Sequence, residues 1–187
     1  MRQIIAGIIG AIIVFVWTGL SWMVFPWHNW DVKAFKDEGK VISETLKAQS
    51  SGDGIYMIPY CDPKDAKDEQ KKKEWLEKAK QGPFAYMIVK PDGIKWDMKT
   101  ALGIQFGISL LVAIMAAFLL GLSRTTSLIG RAWYLTFVVT TGTLLTELSN
   151  WNWWGVPTTA TLVNIADVII AWYFAGLVMA KIVPTRL

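Results

Sequence analysis

The chain has 187 residues, of which 53% are apolar and 18% charged, with a formal net charge of +4. Most charges fall between Asp31 and Lys99, with long charge-poor tracts on either side. That is the pattern of lipid-buried helices around a solvated segment, not of a soluble globular domain. Lysines and acids alternate through the middle, so the positive excess lies at the ends of the apolar tracts and argues against a nucleic-acid-binding face.

The first apolar tract runs from about Ile4 to Phe25 with no charge. About 22 residues at about 1.5 Å each reach roughly 33 Å, enough for a hydrocarbon layer of about 30 Å. The tract exceeds the apolar core of a signal peptide and no Ala-x-Ala site follows, so an uncleaved helix is expected. Trp22, Pro26, Trp27 and Trp30 form an interfacial belt after it.

The segment from Asp31 to Lys99 can make a small folded unit but is too short to bury a generous core alone. Phe35, Ile42 and Leu46 mark one face of a helix over about Asp31 to Lys47. Ser50 to Gly54 breaks the chain, and Ile55 to Ile58 reads as a strand. Asp65 to Lys80 reads as a charged helix, its thin apolar side made of Ala66, Trp75, Leu76 and Ala79. Gly82-Pro83 ends it, and Phe84 to Val89 reads as a second strand before the turn Pro91-Asp92-Gly93. Tyr56-Met57-Ile58 recurs as Tyr86-Met87-Ile88, but strand composition accounts for this without a duplication. Lys71, Lys72 and Lys73 stand among Glu69, Glu74 and Glu77 at helix-pair spacings, the pattern of a solvated face rather than a headgroup-binding patch. Cys61 is the sole cysteine, which excludes an internal disulfide framework. Met57, Met87 and Met98 read as packing residues rather than copper ligands.

Three further apolar tracts follow, at about 100–122, 132–148 and 159–182. The third tract of the chain is the shortest and is interrupted by threonines. The expected fold is therefore an all-α integral membrane protein. It has four transmembrane helices and a small α/β extracytoplasmic domain inserted between helices 1 and 2, with boundaries at 1–26, 27–99 and 100–187. The turn from Ser123 to Arg131 is basic and has no acid, whereas Asn150 to Pro157 is uncharged and carries three tryptophans. With Arg2, Lys181 and Arg186 near the termini, the positive-inside rule places both termini and the Arg124 to Arg131 turn in the cytoplasm. The expected location is a bacterial plasma membrane, with the middle segment outside, periplasmic where that membrane is the cell inner membrane.

Polar residues inside the apolar tracts carry the functional signal, because an intramembrane ionisable group is costly. Thr136, Thr140, Thr143 and Glu147 fall at steps of four, three and four and share one helix face. Asn164 and Asp167 share a face of the last helix, which the connecting turn sets antiparallel to its neighbour. Thr18 and Ser21 lie near one end of the first helix, and Gln105 and Ser109 lie four apart in the second. Asp167, Asn164, Glu147, Thr143, Gln105 and Ser109 are thus expected to form either a ligand site or a polar cluster between helices. Serine and threonine can equally return hydrogen bonds to their own helix. His28, the only histidine, would with Glu147, Asp167 and Asp31 make a weak oxygen-rich metal site, unsupported by any ligand spacing. The pairs Gly7 with Ala11, Gly103 with Gly107 and Gly176 with Ala180 let helices approach closely, within the chain or toward other subunits.

No phosphate loop, His-Glu-x-x-His, Gly-x-Ser-x-Gly elbow or haem-attachment motif is present. No catalytic residue, metal or cofactor is assigned. The sequence supports a non-catalytic membrane subunit or scaffold whose partners are lipids and other membrane subunits or copies of itself, without nucleic acid. The alternative is a small transporter, channel or lipid-binding protein using the cluster around Asp167. An extracytoplasmic sensor would need a partner to supply its output.

Overall fold

The computed structural model describes residues 1–95 and 97–185; Arg186, used in the charge argument above, lies outside the described residues. Four helices are long and apolar enough to span a bilayer: α1 (Arg2–Met23), α4 (Met98–Leu122), α5 (Leu128–Trp154) and α6 (Thr158–Ile182). Between α1 and α4 lie the short helix α2 (Ser43–Gln49), strand β1 (Gly54–Ile58), helix α3 (Glu69–Gln81) and strand β2 (Ala85–Val89). The chain is an integral membrane protein that divides into two compact units, one made of Met1–Val32 with Trp96–Leu187 and the other of Lys33–Lys95.

In the helical unit, α1 packs along both α4 and α6, and α5 packs along α6, while α4 and α5 meet only sparingly. The helices therefore run α4, α1, α6, α5 in an arc with a weak closing seam. Small residues set the close crossings. A Cβ on Gly7 would lie 2.8 Å from the Ile114 Cα, and one on Gly176 would lie 3.0 Å from the Ala132 Cα. The core between them is largely alanine, with Leu120, Leu135, Trp172 and Met179 filling the remaining space. Ile4, Ile5, Ile8, Ile12, Val16 and Leu20 form the exposed stripe of α1, the surface a lipid tail accepts.

Local chemistry sets the helix ends. Asp97 caps α4 by accepting from the N–H groups of Lys99 (3.3 Å) and Thr100 (3.2 Å). The Thr100 hydroxyl also donates to this carboxylate, and these bonds hold Asp97 below the ordinary aspartate range. Ser127 caps α5 through the Gly130 N–H at 3.1 Å. At its far end, α5 runs past the expected stop near Leu148 and through Trp151, Asn152, Trp153 and Trp154. It stops where Gly155 adopts φ 68° and its N–H donates to the Asn150 carbonyl. The tryptophans thus belong to the helix and not to the turn.

In the inserted unit, β1 and β2 pair antiparallel, with Ile55 opposite Ile88 and Met57 opposite Tyr86. The helix expected over Asp31–Lys47 is replaced by irregular chain, one wide helical turn at Glu38–Ile42, and α2. Phe35, its intended first apolar anchor, is exposed and outside any helix. The charged helix begins later than expected, at Glu69, because Asp68 caps it by accepting from the N–H groups of Gln70 (2.9 Å) and Lys71 (3.2 Å). The Trp75 indole donates to the Pro59 carbonyl at 2.9 Å, tying α3 to the chain after β1.

Candidate functional site

The deepest acid of the helical unit, Asp167, is nine residues into α6, roughly 14 Å along its axis. Its Oδ1 accepts a 2.5 Å hydrogen bond from the Trp17 indole of α1, and its Oδ2 lies 3.5 Å from His28 Nε2. His28 belongs to a single 3₁₀ turn, Pro26–Asn29, that follows α1 and packs against both α1 and α6. The same Nε2 lies 2.9 Å from Ser21 Oγ, and Ser21 in turn accepts from the Trp27 indole at 2.9 Å. The imidazole stacks on Trp22, with ring centroids 3.9 Å apart. The His28 and Asp167 side chains are 3% and 10% exposed, so the carboxylate is removed from solvent, with the Trp17 indole N–H on one oxygen and the His28 ring beside the other.

This constellation unites a serine, a histidine and an aspartate without being a catalytic relay. A relay needs the carboxylate on one ring nitrogen and the hydroxyl on the other. Here both approach Nε2, and Ser21 is fully buried. The arrangement suits fastening: α1, the turn after it and α6 are joined through one carboxylate and one hydroxyl. Among the described residues, no three His, Cys, Asp or Glu side chains converge as a metal site would require.

The other residues singled out in the sequence distribute elsewhere. Asn164 donates from Nδ2 to Glu147 Oε2 at 3.1 Å, forming a separate bridge between α6 and α5. Thr143 returns its hydroxyl to the Val139 carbonyl at 3.4 Å, and Ser109 returns its own to the Gln105 carbonyl at 3.0 Å. The Gln105 carboxamide is exposed on α4 and has no partner among the described residues. One expected cluster is therefore two bridges and two hydroxyls bonded to their own helices. Thr136 likewise bonds to the Ala132 carbonyl, whereas the buried Thr140 hydroxyl has no partner among the described residues.

Trp17 was not singled out by the sequence, although an indole N–H within an apolar helix requires an acceptor. Its spacing of four from Ser21 was the available signal, since the two share one face. The chain matches no protein-family model, no curated protein and no solved structure.

Proposed function

We propose that the chain is a non-catalytic membrane subunit that assembles, through α4, with another membrane protein or a further copy of itself. The observation that carries this reading is the uncovered first half of α4. Gln105 lies seven residues into the helix, roughly 10 Å along it, and is exposed, with no partner for its carboxamide among the described residues. A carboxamide at that depth calls for a partner helix. On the opposite flank, a Cβ at Gly103 or Gly107 would meet nothing within 4 Å, whereas Gly7 and Gly176 are already used in internal crossings. Asp167 is engaged within the bundle, which supports a structural role for it.

A photoreactive residue at Gln105 in native membranes is expected to give a discrete crosslinked species. Wild-type protein that crosslinks only to lipid at that position would refute the reading. In the orientation that supports this assembly, both termini and the Arg124–Arg131 turn are cytoplasmic and the inserted unit is outside. Cys61 is partly exposed and the sole thiol, so an impermeant maleimide added to intact cells should label it. Labelling only after lysis would reverse the orientation.

A second reading, a small transporter, channel or lipid-binding protein, draws on the buried oxygens of Thr140 and Asp31 that lack partners. It requires Asp167→Asn to abolish transport or ligand retention in a folded protein; retained function in that variant would remove it.

A further inference from the structure

The end of the bundle opposite Asp167 contains a buried cation. Arg131 lies in the first turn of α5 and is 1% exposed. Its Nη2 donates to the carbonyl of Val183, just beyond α6, at 2.8 Å. Nε and Nη1 are buried without a hydrogen-bond partner among the described residues, and these two atoms carry three of the five guanidinium N–H donors. Among the described residues no carboxylate pairs with it. An arginine cannot relieve such a position by losing its proton, so the charge calls for an anion. The negative C-terminal end of α6 offsets part of it, but through one neutral carbonyl only.

Two further features surround this group. Helical side chains tilt toward the helix N-terminus, which carries the guanidinium back to the level of Ser127, where the chain leaves the apolar layer. There the N–H groups of Leu128 and Ile129 have no acceptor within α5, and the Ser127 hydroxyl serves only Gly130. The connecting turn also carries Arg124 and no acid. Local bonds hold this turn, with the Thr125 N–H on Ser123 Oγ at 3.1 Å. A helix N-terminus and an unpaired buried arginine at the headgroup level form the donor set that a tetrahedral phosphate accepts.

We propose that Arg131 and the first turn of α5 bind a phosphate group, the chemistry shared by an anionic phospholipid headgroup and a free phosphate. The test uses the full chain in neutral detergent, with its unfolding temperature followed during titration. The titrants are phosphatidylglycerol, phosphatidylcholine and inorganic phosphate, each applied to wild type, Arg131→Lys and Arg131→Met. Phosphatidylglycerol should stabilise wild type saturably and at a concentration about tenfold below phosphatidylcholine, and Arg131→Met should erase that difference. Arg131→Lys, which keeps the charge but loses the fork, should retain part of it. The same Arg131-dependent saturation with inorganic phosphate alone would support the site and assign it to free phosphate. Wild type that prefers neither phosphatidylglycerol nor phosphate would overturn the proposal, as would an unchanged preference in Arg131→Met. If Arg131→Met does not fold, the wild-type preference together with Arg131→Lys decides.

Discussion

The bond between Trp17 and Asp167 joins residues 150 positions apart, and its strength can be isolated by a double-mutant cycle. Trp17→Phe removes the indole donor while leaving a ring against Phe25 and Phe174, whose centroids lie 6.1 and 6.3 Å from the indole. Asp167→Leu removes the acceptor. Each single change carries its own packing cost, which the cycle cancels. Hydrogen bonds between membrane helices average about 0.6 kcal/mol and reach about 1.7. The Trp17–Asp167 coupling should fall in that range, about 0.6–1.7 kcal/mol. Asp167→Leu alone should cost more, roughly 1–3 kcal/mol beyond packing, because it leaves the Trp17 N–H without an acceptor in a dry bundle. Reversible unfolding in mixed micelles, titrated with a denaturing detergent, would supply the four stabilities. Additivity within about 0.5 kcal/mol would refute the argument, since it would mean that the two groups do not depend on each other.

The glycines separate internal from external packing. Gly7→Ala forces α1 away from the Ile114 backbone and should destabilise the isolated chain by about 1–3 kcal/mol. Gly103→Ala meets open space and should be neutral or stabilising by up to about 1 kcal/mol; thermal melting in detergent compares the two. At the start of α4, the Thr100 hydroxyl and nearby N–H groups hold the Asp97 carboxyl below the ordinary aspartate range. A folded-state pKa depressed in this way stabilises at pH above the unfolded value and is lost as pH falls through the folded one. Hydrogen-exchange protection at Lys99 and Thr100 should therefore persist at neutral pH, decline below the ordinary aspartate range, and be absent at any pH in Asp97→Ala. Protection that does not respond to acid would show that the cap does not hold this turn.

The four spans were legible because long uncharged apolar runs leave few alternatives to a bilayer. The end of α5 was misjudged because Trp151, Trp153, Trp154 and the intervening asparagine resemble an interfacial loop in composition. The helix stops only where Gly155 can take a left-handed conformation, a signal the sequence did contain. The helix expected over Asp31–Lys47 fails for another reason. Its apolar positions are sparse, and a short helix without a packed face is marginal in water. At the site, the depth of Asp167, Asn164 and Glu147 could be read from spacing within single helices. The pairing of Asp167 with Trp17 and His28 could not, because it depends on α1 and α6 being neighbours and on the chain after α1 folding back. Periodicity reports which face a residue occupies, not which other helix meets that face.

The inserted unit poses the opposite problem, a solvated segment with too little core. Among its described residues Val89 is the only buried apolar side chain. Ile55, Tyr86 and Ile88, on one face of the two-stranded sheet by their register, are all exposed. A two-stranded sheet is at best marginal alone, and a domain of about sixty residues already buries a low fraction of its surface. Burial of one valine contributes only about 1.5–3 kcal/mol, far below the cost of ordering even a few residues at about 1–2 kcal/mol each. Fixing both ends to spanning helices lowers the entropy of the unfolded segment, an aid that vanishes on excision. A fragment covering 33–95 should therefore show broad, non-cooperative thermal behaviour by circular dichroism and weak amide protection. In the intact chain, β1 and β2 should be better protected. A sharp thermal transition in the isolated fragment would show that the unit is self-sufficient and that its exposed apolar face needs no cover.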